Sequence, residues 1–197
     1  MDRAVNKAQE LSDRDLALQL QQGQRLALND LMFRYKEKLY RFAWRNVRNE
    51  DVAQDVVQEA FVKAYFNIGK YDPHYAFSTW IYQITLNLCR DHHRRNFFRK
   101  YDTSLNLAEG SEHLQLAGDA PDSTNALSSK QELANAHKAI QALPKKLGEA
   151  LILYVFEEKS QQECADILGV SAKTIETRIY RARRLLAEAM NRNNFAS

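Results

Sequence analysis

The sequence predicts an all-α protein: two small helical domains joined by a flexible acidic linker, the second of them a helix-turn-helix domain. Three observations carry this. Only six Gly and three Pro interrupt 197 residues, and good helix formers (Leu, Ala, Gln, Glu, Lys, Arg) fill much of the rest. Apolar residues recur at helical spacing through most of the chain. Charge is partitioned along it. Residues 1–100 hold 17 Lys/Arg against 12 Asp/Glu, 101–129 hold five acids and no Lys or Arg, and 130–197 hold 11 against eight. The middle stretch, "YDTSLNLAEGSEHLQLAGDAPDSTNALSS", has little periodicity and contains Gly110, Gly118 and Pro121. It reads as a linker over 101–129 between domains at 1–100 and 130–197. Solvation and flexibility account for its acidity equally well.

Composition also excludes several classes. No stretch approaches the ~20 apolar residues of a membrane span, and "MDRAVNKAQELSDRD" has no signal-peptide apolar core. Cys89 and Cys164 lie far apart in sequence, which suits free thiols in a reducing cytoplasm. There is no defensible pair of catalytic carboxylates and no Gly-rich phosphate loop, so no enzyme is expected. Cys89, His92 and His93, with His74, imitate a metal site but have no second closely spaced ligand pair, so neither metal nor cofactor is expected.

The elements follow in order. Ser12 with Asp15 makes a capping box for a short helix, "LSDRDLALQLQQG", that stops near Gly23. In "ALNDLMFRYKEKLYRFAWRNV", Leu28, Leu31, Met32, Tyr35, Leu39, Phe42 and Ala43 form a core stripe. The next helix, "EDVAQDVVQEAFVKAYFNI", sets the small residues Ala53, Val56, Val57, Ala60 and Ala64 on one face. Asp55, Gln58, Phe61, Val62 and Tyr65 are placed on the other. Bulky apolar groups among acids and amides admit two readings: a helix buried on both sides, or a docking surface with apolar anchors ringed by polar groups.

A loop, "GKYDPHYA", follows, where Pro73 opposes helix. Ser78 is a plausible N-cap for the helix beyond. Ile81, Ile84 and Leu88 form its inward stripe, and Gln83, Asn87, Arg90 and Arg94 a polar and basic ridge. Trp80 lies at the ridge's edge, near Tyr71, Tyr75 and Phe77. Basic groups suit phosphates and flat aromatic faces suit unstacked bases, a pairing that single-stranded DNA needs. The alternative is aromatic core, with Trp80 and Phe77 inside, beside a solvated helix end, and wheel geometry alone slightly favours it.

The C-terminal segment carries the strongest local signal. Pro144 suits the first position of an amphipathic helix, "PKKLGEALILYVFEEKS". "SQQECADILGVSAKTIETRIYRARRLL" then reads as a helix-turn-helix. Its first helix spans about 161–168, Gly169 permits the turn, Val170 plugs the junction and Ser171 caps the second helix. Ile175, Ile179, Ala182 and Leu186 face inward; Lys173, Thr177, Tyr180, Arg181 and Arg184 face out, a surface that fits a DNA major groove.

These motifs, in this order and around a linker of this length, resemble the extracytoplasmic-function (group 4) sigma factors of bacterial RNA polymerase over nearly the whole chain. "DVAQDVVQEAFVKAY" is similar to the family's polymerase-binding helix, "FSTWIYQITLNLCRDHHRR" to its promoter-melting segment, and "LPKKLGEALILYVFEEKSQQECADILGVSAKTIETRIYRARRLL" to its −35-reading domain. The resemblance implies that Asp55, Gln58, Glu59, Phe61, Val62 and Tyr65 dock on core RNA polymerase, at the clamp helices of its largest subunit, with the flap as a further contact. It implies that the loop from Lys70 to Phe77, with His74 and Tyr75, captures a flipped base of the −10 element. Trp80, Gln83, Asn87, Arg90 and Arg94 would hold the melted strand. Lys173, Glu176, Thr177, Tyr180, Arg181 and Arg184 would read the duplex −35 element. The linker would thread toward the active centre and the RNA exit path. An anti-sigma factor is an implied partner, and no stable homo-oligomer is expected. The sequence departs from the family in two places. Gln83, Ile84 and Thr85 stand where many members carry Arg-Ile-Ala, and Glu176 stands where Lys or Arg is frequent. Glu176 would accept from a cytosine amino group or pair with Arg183.

Overall fold

The computed structural model describes residues 11–106, 139–140 and 142–194; for 97–106 and 191–194 it describes only the helical backbone. Among these residues there is no strand, and no helix is long and apolar enough to cross a membrane. The helices are α1 (Asp13–Gln21), α2 (Ala27–Val47), α3 (Glu50–Asn67), α4 (Phe77–Asn106), α5 (Lys145–Leu151), α6 (Gln161–Leu168) and α7 (Ala172–Asn194). A 3-10 turn, Ile68–Lys70, follows α3, and a π-helical turn, Ile152–Phe156, follows α5. The chain forms two compact units, one built from residues up to Arg94 and the other from the residues beyond, except Asp166–Leu168, which group with the first.

In the first unit, α1 opens with the expected capping box: Asp15 N donates to Ser12 Oγ at 3.1 Å, and Ser12 N to Asp15 Oδ2 at 3.2 Å. The Ser12 hydroxyl, and after it the Ser12 backbone, hold the Asp15 carboxyl below its ordinary pKa. Gly23 closes the helix at φ 87°, where a side chain would be strained. Along α2, Leu31, Tyr35, Leu39, Phe42 and Ala43 are buried as the stripe requires; Leu28 and Met32 are only half-buried. The small face of α3 is buried throughout, and Ala53, Ala60 and Ala64 let it pack closely on α2.

Helix α4 starts at Phe77, so Ser78 lies in its first turn and is not the N-cap. The Ser78 side chain instead hydrogen-bonds the Tyr35 hydroxyl. Ile81 and Leu88 are buried with Tyr82, Leu86 and Cys89, while Ile84 is half-buried. Thr85 is buried, and its hydroxyl donates to Ile81 O at 2.8 Å, so the polar group is satisfied inside the helix. The helical backbone continues through Asn106. Residues 101–106, assigned to a linker by composition, are therefore helical, and 107–129 lie outside the described residues.

In the second unit Pro144 sits just before α5, at the cap rather than at the first helical position. The amphipathic segment does not continue as one α-helix. Glu157 N donates to Ile152 O at 3.1 Å, a five-residue step that widens the turn, and Glu158 takes φ 51° as the chain reverses. Helix α6 then opens on a full capping box between Ser160 and Glu163. Partial burial pulls the Glu163 carboxyl upward, but Ser160 and Lys159 outweigh it and hold the pKa low. Leu151, Leu153, Cys164, Ala165, Ile175, Ile179 and Ala182 are among the buried residues of this unit. Burial, with the Glu163 charge second, pushes the Cys164 thiol up to about 12. Both cysteines are buried and neither is in a disulfide.

Candidate nucleic-acid interface

Three surfaces hold the residues singled out by sequence. The first is the loop between α3 and α4 with the ridge of α4. Gln21 donates from Nε2 to Ile68 O and to Tyr71 O, both at 2.8 Å. The Tyr71 hydroxyl donates to Tyr75 O at 2.8 Å, and Tyr75 N to Asp72 O at 3.1 Å. Asp72 Oδ1 accepts from His74 N at 2.9 Å and lies 2.7 Å from His74 Nδ1. The His74 backbone bond, then the side chain, keep the Asp72 carboxyl below its usual range. The loop is thus a hydrogen-bonded turn with its polar groups largely engaged.

Its aromatic residues divide into two sorts. Tyr71 is 3% exposed and Phe77 2%. Phe77 meets Tyr35 at 5.6 Å, Tyr71 at 5.8 Å and Trp80 at 5.9 Å, all between ring centroids, and Tyr71 meets Trp80 at 5.4 Å. These are favoured aromatic separations. Tyr71 and Phe77, expected to present faces to DNA, are therefore the buried backing of Trp80. Trp80 itself is half-buried, and Tyr75 is 57% exposed. Lys70 and His74 are exposed. Lys70, Tyr71, Tyr75, Trp80 and Gln83 contribute to one depression. Along the ridge Gln83 and Arg90 are half-buried, Asn87 and Arg94 exposed, and Arg94 donates to Asp91 at 3.1 Å.

The second surface is α3. Asp55, Gln58 and Glu59 are exposed, Val62 is 50% exposed and Tyr65 half-buried. Phe61 does not share that face. It is 3% exposed and, with Met32, Tyr40, Val57 and Gln58, lines a groove beside α2. The cause is helical register: Phe61 follows Val57 by four residues and shares the buried side. The other bulky apolar group on display is Phe66, 79% exposed and 5.4 Å from Tyr65 between ring centroids. It was not singled out from the sequence, although it follows Val62 by the same step of four.

The third surface is α7. Gly169 takes φ 67°, Thr174 N donates to Ser171 Oγ at 3.2 Å, and Ile175, Ile179 and Ala182 are buried. Leu186 and Val170 are half-buried. Lys173, Thr177, Tyr180, Arg181 and Arg184 are all exposed, as the periodicity predicts, and Glu176 is exposed with them. Glu176 pairs with Lys173 at 2.9 Å rather than with Arg183, whose guanidinium lies 5.6 Å from the centre of the Tyr154 ring. Tyr154, Lys173, Glu176, Thr177, Tyr180 and Arg183 line a shallow groove along the helix. Among the described residues no three His, Cys, Asp or Glu converge on a possible metal position.

Residues absent from the sequence reading brace the first surface. Besides Gln21, Asp13 accepts from Arg34 Nη1 at 2.6 Å and from the Tyr35 hydroxyl. Burial first, and the Asp13 carboxylate second, push the Tyr35 phenol above its ordinary pKa. No local motif announces such partners, which lie 21 to 50 residues apart.

Comparison with known proteins agrees with this layout. Residues 31–97 match the family described as Sigma-70 region 2, and residues 133–186 match Sigma-70, region 4. The chain is 32% identical over 174 residues to the ECF RNA polymerase sigma factor SigW of Bacillus subtilis, covering 87% of this chain and 93% of the relative. It is 33% identical over 184 residues to the RNA polymerase sigma factor CnrH of Cupriavidus metallidurans, covering 91% and 95%. Among solved structures, CnrH in complex with the cytosolic domain of CnrY superimposes with TM-score 0.68 at 28% identity, covering 91% of this chain and 97% of that one.

Proposed function

The chain belongs to the extracytoplasmic-function group of the sigma-70 family, and from that premise we propose how its residues divide the work of promoter recognition. As an alternative sigma factor it binds core RNA polymerase, recognises −35 and −10 promoter elements and promotes DNA melting for transcription initiation. Asp55, Gln58, Glu59, Val62 and Tyr65 of α3 meet the clamp helices of the largest subunit, with Phe66 as a further apolar contact and Phe61 as support beneath. The flap is a second contact on the polymerase. Tyr75 and Trp80 stack on bases of the melted −10 strand while Lys70, His74, Gln83, Asn87, Arg90 and Arg94 hold its phosphates and edges. Lys173, Glu176, Thr177, Tyr180, Arg181 and Arg184 enter the major groove of the −35 duplex. The division into a region 2 domain over 1–100, a linker over 101–129 and a region 4 domain over 130–197 belongs to the same reading.

One observation carries it. A half-buried indole, backed by two buried aromatic rings, stands at the head of a polar and basic ridge whose Asn87 and Arg94 are exposed and whose Gln83 and Arg90 are half-buried. A core-only Trp has no need of that ridge, and a duplex-binding regulator has no need of the Trp. The protein acts in the cytoplasm without catalysing a reaction itself, uses no cofactor, and forms no stable homo-oligomer. An anti-sigma factor, the partner the family resemblance implies, holds it in check; that CnrH was solved in complex with the cytosolic domain of CnrY supports a protein partner. Transcription in vitro with core polymerase and a promoter library tests the reading. Initiation only when this chain is added, from promoters sharing one −35 and one −10 motif, is the expected result. Binding to duplex DNA without core-dependent initiation would mean an ordinary helix-turn-helix regulator.

A further inference from the structure

We infer that Gln21, at the last residue of α1, is a positioning residue for the −10 loop: its amide grips the start of that loop and thereby sets the geometry of Tyr71, Tyr75 and Trp80. The inference rests on the assignment of this loop and Trp80 to the −10 strand. Two carbonyls, Ile68 O and Tyr71 O, flank the point where the 3-10 turn gives way to extended backbone. Both accept from the one Gln21 Nε2 at 2.8 Å. An amide nitrogen carries two N–H donors, so the pair saturates it. Tyr71 then transmits the constraint in two directions, through its ring to Trp80 at 5.4 Å and through its hydroxyl to Tyr75 O at 2.8 Å.

The far end of the loop is tied to the same helix. Asp13, the first residue of α1, accepts from Tyr35, and Tyr35 contacts both Ser78 and Phe77 at the start of α4. Helix α1 thus spans the loop like a bracket. Pre-forming a binding loop lowers the ordering cost of capture, so the bracket acts on affinity for an exposed base and leaves duplex reading alone.

The test uses holoenzyme assembled from core polymerase and the full chain. Gln21→Met keeps length and volume but removes both donors; Gln21→Lys restores N–H donors at similar reach. The readouts are affinity for a single-stranded −10 oligonucleotide, affinity for a −35 duplex, and the melting temperature of the free chain. Trp80→Ala is the parallel control. The expected result for Gln21→Met is about a five- to tenfold loss on the single strand, the size of one or two lost hydrogen bonds. The −35 duplex affinity should stay unchanged, and Gln21→Lys should recover most of the loss. Wild-type single-strand affinity in Gln21→Met, with Trp80→Ala impaired, overturns the inference alone. Equal losses on both DNAs with a lowered melting temperature also overturn it, since Gln21 would then serve the fold generally. Wild-type affinity in Trp80→Ala removes the −10 assignment and the inference with it.

Discussion

Trp80 and Tyr71 lie 5.4 Å apart between ring centroids, with Tyr71 buried and Trp80 half-buried. The buried ring fixes the angle at which the half-buried one is presented. A surface indole without such backing would sample several rotamers and lose part of its stacking energy to entropy.

Burial of Phe61 separates two functions along α3. Phe61→Ala should destabilise the protein by about 3–5 kcal/mol, the cost of emptying a packed aromatic site. Val62→Ala, at a 50% exposed position, should leave the melting temperature nearly unchanged and weaken core binding by ~1 kcal/mol or more. Thermal unfolding beside a core-binding titration checks both. An unaltered affinity for Val62→Ala would remove this face from the docking surface.

On α7, Arg181 is exposed and Arg184 lies 3.5 Å from Glu188. Arg181→Ala should weaken −35 binding more than Arg184→Ala, whose guanidinium already has an intrahelical partner. A phosphate contact would lower affinity for all sequences and reduce the salt slope by about one unit, and a base contact would relax one promoter position. Binding of both variants to −35 variants across salt concentrations distinguishes these outcomes.

The capping box of α6 gives a pH prediction. The Glu163 carboxyl is held below its unfolded value by Ser160 and Lys159 against the pull of burial. Its contribution to stability is therefore complete above the unfolded pKa of about 4.3 and is lost as pH falls through the lower folded value. Glu163→Gln should flatten that part of the acid limb in a stability–pH profile while keeping the cap's hydrogen bond. Ser160→Ala should cost about 1 kcal/mol at neutral pH. An acid limb of unchanged steepness in Glu163→Gln would assign the acid sensitivity to other carboxylates.

Helix starts and faces were largely legible because their causes are local. The Ser12–Asp15 box, the positive φ of Gly169 and the exposed face from Lys173 to Arg184 each depend on residues within a turn or two. Phe61 was misplaced although its signal was also local: the step from Val57 puts it on the buried seam. Tyr71 and Phe77 were a different matter. A loop aromatic can face water or core, and only the contacts with Tyr35 and Trp80 decide it. The Gln21 bonds to Ile68 and Tyr71 span 47 and 50 residues, and no periodicity encodes such pairs. The π-turn after Leu151 was invisible for a different reason: it is local, but a widened turn changes no residue type.

Strand separation at Trp80 is the central claim, and permanganate reactivity of the −10 thymines tests it most directly. Stacking contributes ~1–3 kcal/mol per base, and unstacking a base step costs a few kcal/mol. Trp80→Ala holoenzyme should therefore still bind duplex promoter in its closed form. Its −10 thymines should stay unreactive, and transcription should be lost. A template with a pre-opened bubble should restore transcription to near the wild-type level. Equal loss on the duplex and the pre-opened template would contradict the account and reduce Trp80 to a packing residue.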